Sequence, residues 1–307
     1  MKRNKVVVGT RGSTLALTQA DIFLYALREI SPGIEAEIRV VKTTGDKVRD
    51  RPLKSLGGLG AFTKELDAKI LEGELDVAVN SLKDMPMQIT PGTTIAAVLP
   101  RGPVEDVLIS KFPLEELPEG AVVGTSSVRR GAIVRRIRPD LVVKDLRGNV
   151  PTRIKKHQDG EYDAIILAEA GLERLKEKVN RFVLDHSVFV PPAGQGAIAI
   201  VCRQGSPMEE TLRKMDDPKT RVEIESERRV LAQLGGGCYV PIGVLARAFD
   251  GELWIKAIIL DERSDRFAEL ERILSLERGR LEGELSKFST DLKKAWELQE
   301  PSRKDRQ

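Results

Sequence analysis

Three glycines stand directly before Cys238 in "QLGGGCYVPIG" (233–243), in a chain of 307 residues with only two cysteines. Such a run allows positive φ and close approach of the backbone and is poor core material, so it holds a thiol on an open loop. The other cysteine, Cys202 in "AIAIVCR", reads as a small buried hydrophobe. Asp84 follows Lys83 in "NSLKDMP". A lone Lys-Asp pair on a surface is worth about 0–1 kcal/mol. At the end of an apolar strand and facing a basic crevice, Asp84 is instead the one acid placed to stabilise a cation.

The basic crevice is suggested by charge distribution. The net charge is only +3, yet residues 121–160 hold ten Lys/Arg against Asp140, Asp145 and Asp159. That is +7 in forty residues, and a local field of this sign attracts anions. Each arginine–carboxylate hydrogen bond contributes roughly 1.5–3 kcal/mol, so several together could hold a polycarboxylate.

The elements that must position these groups follow from hydrophobic spacing. "KVVVGT" is a strand, and Ala16, Ala20, Phe23, Leu24 and Leu27 mark the helix after it. "EAEIRVVKT" is a second strand, "KELDAKILEGE" a helix and "LDVAVNS" a buried strand. From about residue 100 the pattern restarts with "AVVGT", "SSVRRGAIVRRIRP", "LVVKDLR", "VPTRIKKHQDG" and "YDAIILAEAG". This alternation predicts mostly parallel sheets with helices on both faces. "FVPPAGQGAIAIVCR" (189–203) adds a late strand that could return the chain to the first sheet. Beyond about residue 218 a helix is followed by "YVPIGVLARAF", "ELWIKAIIL" and "RFAELERIL", a small antiparallel sheet, and then by a charged helix over about 276–298.

Ligands of open α/β sheets bind beyond the carboxyl ends of strands. Arg11 and Ser13 follow the first strand, Lys83 and Asp84 the strand "LDVAVNS", Thr125–Ser127 the strand "AVVG", and Arg147 the strand "LVVKDL". Thr125–Ser127 are N-capping types, and a helix N-terminus offers free N–H groups to an anion. Arg129 and Arg130 could form a solvated helix face. However, Arg130, Ile133, Val134 and Ile137 fall in an i, i+3, i+4, i+7 stripe and Arg129 lies four residues before Ile133. Both are therefore expected on the apolar side of the first turn, at the rim of the crevice, with Arg135 and Arg138 leaning into solvent. Arg147 and Arg153 flank the turn "RGNVPTR" as ligand candidates.

Other chemistries find little support. Two histidines leave little for a metal centre or a Ser-His-Asp triad, and there is no H-E-x-x-H, C-x-x-C, P-loop or G-x-G-x-x-G after a strand. "SLGGLGAF" (55–62) reads as a mobile loop. A charged fraction of 32% with 41% hydrophobic residues indicates a globular chain, with no membrane-length apolar run and no signal h-region. Two cysteines argue against a disulfide-stapled compartment, and the expected location is cytoplasmic. A nucleic-acid binder, prompted by a pI near 8.8, would interleave aromatics with its basic stripe; residues 121–160 contain none. A non-enzymatic anion-binding protein on the same α/β sheets would need an export signal and no Cys238.

The stretches "GTRGSTLALTQA", "TTGD", "FTKELDAKILEGELDVAVNSLKDMP", "LPRGPVEDVLIS", "GTSSVRRGA", "DLRGNVPTRIKK", "ILAEAGLERL", "PPAGQGAIAI" and "GGGCYVPIG" together closely resemble the porphobilinogen deaminase family. They are collinear with it over roughly residues 6–243. The resemblance implies an α/β fold of three domains. Two are lobes like type II periplasmic binding proteins, 1–98 with about 195–216 and 99–194. The third, 217–307, is a small α+β unit with an antiparallel three-stranded sheet that carries the cysteine. It implies a dipyrromethane cofactor bonded to Cys238 by a thioether, reaching the cleft between the lobes. There four porphobilinogen molecules would be condensed head to tail, with loss of ammonia, and hydrolysis would release hydroxymethylbilane. The resemblance makes Asp84 the catalytic acid. It gives Lys83, Asp84, Ser127, Arg129, Arg130 and Arg147 to the cofactor, and Arg11, Ser13, Gln19, Arg147, Arg153, Arg174 and Gln195 to substrate and growing chain. It implies a monomer with no metal, nucleic-acid or membrane partner. The chain departs from the family in Leu59, where Lys is usual, and in Asn80, where His is usual; Leu59 removes a cation from the glycine-rich loop.

Overall fold

A computed structural model of the chain describes residues 5–47, 62–236, 241–262, 266–277 and 279–299. The sequence expectations for Cys238, Leu59 and the 55–61 loop lie outside the described residues.

The first lobe is built from β1 (Lys5–Thr10), α1 (Thr14–Ile30), β2 (Glu35–Val40), α2 (Thr44–Lys47), α3 (Lys64–Leu71), β3 (Val77–Ser81) and β4 (Thr93–Val98). The chain crosses into a second lobe of β5 (Asp106–Ser110), β6 (Val122–Gly124), α4 (Val128–Ile137), β7 (Val142–Lys144), α5 (Val150–Gln158), β8 (Ala164–Ala168), α6 (Glu169–Leu175) and β9 (Phe182–Leu184). It then returns through β10 (Ile198–Arg203) and α7 (Pro207–Arg213). The last unit contains α8 (Pro218–Gln233), β11 (Ile242–Phe249), β12 (Glu252–Leu260), β13 (Phe267–Ser275) and α9 (Leu281–Glu297).

The two five-stranded sheets share one plan, β2-β1-β3-β10-β4 and β7-β6-β8-β5-β9. In each, four strands run in one direction and the crossing strand, fourth in the order, is antiparallel to both its neighbours. These are two α/β lobes, as expected, and β10 does bring the chain back to the first sheet. The expectation of mostly parallel sheets holds for strand direction, with one reversed strand, β10 or β5, in each sheet. The strands β4, β5 and β9 and the helices α6 and α7 were not foreseen. Sheet β11-β12-β13 is antiparallel with complete registers, as expected.

The cores follow the alternation of the strands. Val6, Val8, Val77 and Val79 pack on Phe23, Leu24 and Leu27 of α1, while Ala78, Ala199 and Val201 pack on Leu66 and Ile70 of α3. Cys202 is fully buried in the first of these clusters, as its surroundings predicted. In the last unit, Val244 and Ile255 pack on Val230 of α8 and Phe288 of α9, and the opposite sheet face presents Leu245 and Ile258 to the second lobe. The two crossings run side by side, with Leu99 N donating to Ile198 O and Gly102 N to Gly196 O, both at 3.1 Å. Gly196 has φ +83°, and a Cβ there would lie 2.5 Å from Gly102 O and 2.7 Å from Pro103 O. Only glycine lets these backbones meet. Among the described residues, no helix is long and apolar enough to cross a membrane.

Candidate active site between the lobes

The carboxyl ends of the lobe strands converge on one cavity of about 300 Å³. β1 ends into Arg11 and Ser13, and Ser13 caps α1 by accepting from Ala16 N at 3.2 Å. β3 ends in a 3-10 turn, Leu82–Asp84, which sets Lys83 and Asp84 in the wall. From the second lobe come Arg130 of α4, the Gly148–Pro151 turn, Arg153 of α5 and Arg174 of α6. Among the described residues, five cationic side chains (Arg11, Lys83, Arg130, Arg153, Arg174) and one carboxylate, Asp84, line the cavity. Phe62 also lines it, with the Arg11 guanidinium 4.2 Å from its ring centroid, inside the range of cation–π attraction. Gln19 donates to Ser81 Oγ at 2.9 Å on the same side.

The cations are held by backbone and by one buried acid. Arg174 donates to Gly196 O at 2.6 Å and Arg153 to Gly148 O at 2.7 Å. Burial pushes the Arg174 guanidinium down to about 10 and lowers that of Arg153, where Arg130 adds repulsion. Asp106, fully buried at the start of β5, accepts from Arg129 and from Arg130, each at 2.6 Å. Arg129 also donates to Val190 O at 2.8 Å, and Arg130 to Ile166 O at 3.0 Å. Burial would raise the Asp106 carboxyl, but the two guanidiniums outweigh it and hold the group far below the usual carboxylate range.

Gln195 joins the lobes behind this wall. Its Nε2 donates to Val104 O at 2.6 Å and to Asp106 Oδ1 at 2.9 Å, and its Oε1 accepts from Lys83 Nζ at 3.2 Å. Burial lowers Lys83 from its usual value to about 8; Asp84 and Asp106 oppose this shift, while Arg130 and Arg129 add to it.

Of the residues expected in the site, Arg11, Ser13, Gln19, Lys83, Asp84, Arg130, Arg153 and Arg174 line the cavity. Arg129 and Gln195 lie behind the wall, and Ser127 is the N-cap of α4, accepting from Arg130 N at 3.4 Å. Arg147 stands to the side, donating to Asp145 at 2.8 Å. The apolar stripe of α4 ends earlier than expected, since Ile137 is 38% exposed. Arg138 is not simply solvated, because it donates to Leu114 O, Glu115 O and Leu117 O. The sequence reading missed Phe62, Arg101 and Asp106. The signal for Asp106 was an acid opening the otherwise apolar strand "DVLIS", since a buried carboxylate requires cationic partners.

A polycarboxylate fits this wall. Five cations face one acid, and Arg130 keeps a buried Nε with no hydrogen-bond partner among the described residues.

Two family models match the chain. "Porphobilinogen deaminase, dipyromethane cofactor binding domain" covers residues 6–211, and "Porphobilinogen deaminase, C-terminal domain" covers residues 221–278. Similar curated proteins carry the name "Probable porphobilinogen deaminase". The one from Ignicoccus hospitalis is 45% identical over 88% of this chain and 90% of its own length. Those from Methanocella arvoryzae and Archaeoglobus fulgidus are 50% and 48% identical over 80% and 86% of this chain, and over 81% and 91% of theirs.

Proposed function

The chain belongs to the porphobilinogen deaminase family and has its dipyrromethane cofactor-binding domain, and from this we propose a residue-level account of the reaction in its inter-lobe cavity. The reaction is the head-to-tail condensation of four porphobilinogen molecules, a transferase chemistry that releases ammonia and finally hydroxymethylbilane. The observation that carries the account is the wall of five cations around one carboxylate.

When bound, the dipyrromethane supplies a pyrrole α-carbon as nucleophile and primer. Cys238, in the glycine-rich sequence "GGGC" after α8, is its attachment point. Arg11, Lys83, Arg130, Arg153 and Arg174 hold acetate and propionate groups of cofactor and substrate. Ser13 and Gln19 add neutral hydrogen bonds on the first-lobe side. Arg147 and Ser127 serve at the flank, while Arg129 and Gln195 support the wall from behind. Asp84 faces the reacting carbons, stabilises the positive charge that develops as the amine leaves, and takes the proton lost when the new carbon–carbon bond forms. A preorganised group aimed at developing charge contributes more in a low-dielectric cavity than in water. The lobes and the third unit (1–98 with about 195–216, 99–194 and 217–307) divide the work between carboxylate binding and tethering.

The test is turnover of porphobilinogen by the loaded protein, with one ammonia released per molecule condensed. Asp84→Ala should lower kcat by at least about 10²–10³-fold, the effect of losing one such group. Near-normal turnover by a fully loaded variant removes Asp84 from the mechanism.

A further inference from the structure

The cavity wall depends on a residue that does not touch the cavity. Asp106 is fully buried, lies outside the lining set, and is nonetheless the common partner of groups from both lobes. Its two oxygens take Arg129 Nη2 and Arg130 Nη2 at 2.6 Å, and Oδ1 also takes Gln195 Nε2 at 2.9 Å. Gln195 belongs to the segment that returns to the first lobe, and its amide oxygen receives Lys83 Nζ at 3.2 Å. Along this path one carboxylate orients a second-lobe cation, Arg130, directly and a first-lobe cation, Lys83, through one amide.

We propose that Asp106 is the positioning residue of the inter-lobe site, fixing Arg130 and Lys83 as a preset pair of carboxylate-binding cations on opposite sides of the cleft. The proposal rests on reading the cavity as a polycarboxylate site. Two guanidiniums packed side by side repel each other, and a buried charge without a partner is strongly unfavourable. Asp106 removes one of the two positive charges and leaves Arg130 aimed at the cavity. The amide of Gln195 cannot titrate, so it transmits geometry across the lobes without adding charge.

The groups facing Lys83 are Asp84 on its own turn, Arg129 and Arg130 on α4, and Asp106 on β5. Removing the Asp106 charge leaves the two guanidiniums less opposed, which disfavours the Lys83 ammonium further. Asp106→Asn keeps the shape and removes only the charge. The first readout needs no turnover: Lys83 is modified with an amine reagent at a series of pH values and followed by peptide mass spectrometry. The native chain should show a midpoint near 8, and Asp106→Asn a lower one. The second readout is steady-state kinetics on protein whose cofactor loading is verified by intact mass. Loss of one partner of a buried charge pair should lower kcat/KM by at least about 30-fold. The loss should fall mainly on KM, because the pair binds carboxylates before and during reaction.

If Asp106→Asn folds poorly, Asp106→Asn combined with Arg129→Met restores the charge balance. It should return the Lys83 midpoint towards the native one while kcat/KM stays low, since Arg130 has lost its clamp. A purely structural role would lower the melting temperature and leave the Lys83 midpoint in place. An unchanged midpoint together with kcat/KM within about threefold of native overturns the proposal. A native chain that titrates as expected but makes no hydroxymethylbilane overturns the functional reading and leaves Asp106 in its positioning role.

Discussion

Lys83 and Asp84 are neighbours in sequence, both half-buried in the cavity wall. Lys83 is pressed against buried wall and near two guanidiniums, which brings it to about 8. The direction is downward, so the charged form is the one penalised. Below pH 8 the amine is an ammonium and the cavity has five cations; above it the cavity has four. Carboxylates of the bound cofactor favour the ammonium, so kcat/KM for porphobilinogen should decline as pH rises above about 8, and a flat profile to pH 10 would contradict this. The residues that reach the cavity were largely legible from their place after strand ends, because that position leaves a side chain beyond the sheet. The division between Arg129 and Arg130 was not. Both satisfy the same helical stripe and both pair with Asp106; they differ in their second contact, Arg129 to Val190 O and Arg130 to Ile166 O, and only Arg130 lines the cavity.

At the scale of elements, two crossing segments connect the lobes and pack against each other backbone to backbone. Gly196 sits at the closest point, between Gly102 O and Pro103 O, with a left-handed φ. Its carbonyl also accepts from Arg174 at 2.6 Å, so the crossing orients one of the binding cations. Gly196→Ala should destabilise the fold by about 2–5 kcal/mol, combining left-handed strain with overpacking, as read by urea denaturation. A change under about 1 kcal/mol would show that the crossing can relax. The returning strand was visible in "AIAIVCR" as an apolar run after a glycine-rich turn. The antiparallel direction of β5 and β10 was not visible, because an apolar run has no polarity of its own and its direction is set by which lobe it enters.

Across the whole molecule, the third unit is joined to the lobes at Arg101. Its guanidinium donates to Gln195 O at 2.9 Å and pairs with Glu223 at 3.1 Å and Glu227 at 2.8 Å, with all three side chains almost fully buried. Glu227 also accepts from Gly194 N and Ala246 N, and Glu223 from Ala248 N. Helix α8, the returning crossing and β11 thus share one charged cluster, in the same segment that supports Lys83. Breaking a buried pair leaves an uncompensated charge, so Glu227→Gln should lower unfolding stability by about 3–5 kcal/mol; a loss within 0.5 kcal/mol would mean that water or rearrangement satisfies Arg101. The sequence reading took α8 only as the helix before the sheet, since charges at helical spacing also describe a solvated face. In the proposed reaction a primer tethered to the chain is received by the basic cavity. Its most direct test is the intact mass of the protein made in a cell that produces porphobilinogen. The native chain should carry a covalent adduct of dipyrromethane mass that is absent from Cys238→Ala. An unmodified native chain that still makes hydroxymethylbilane, or an adduct that survives in Cys238→Ala, would contradict it.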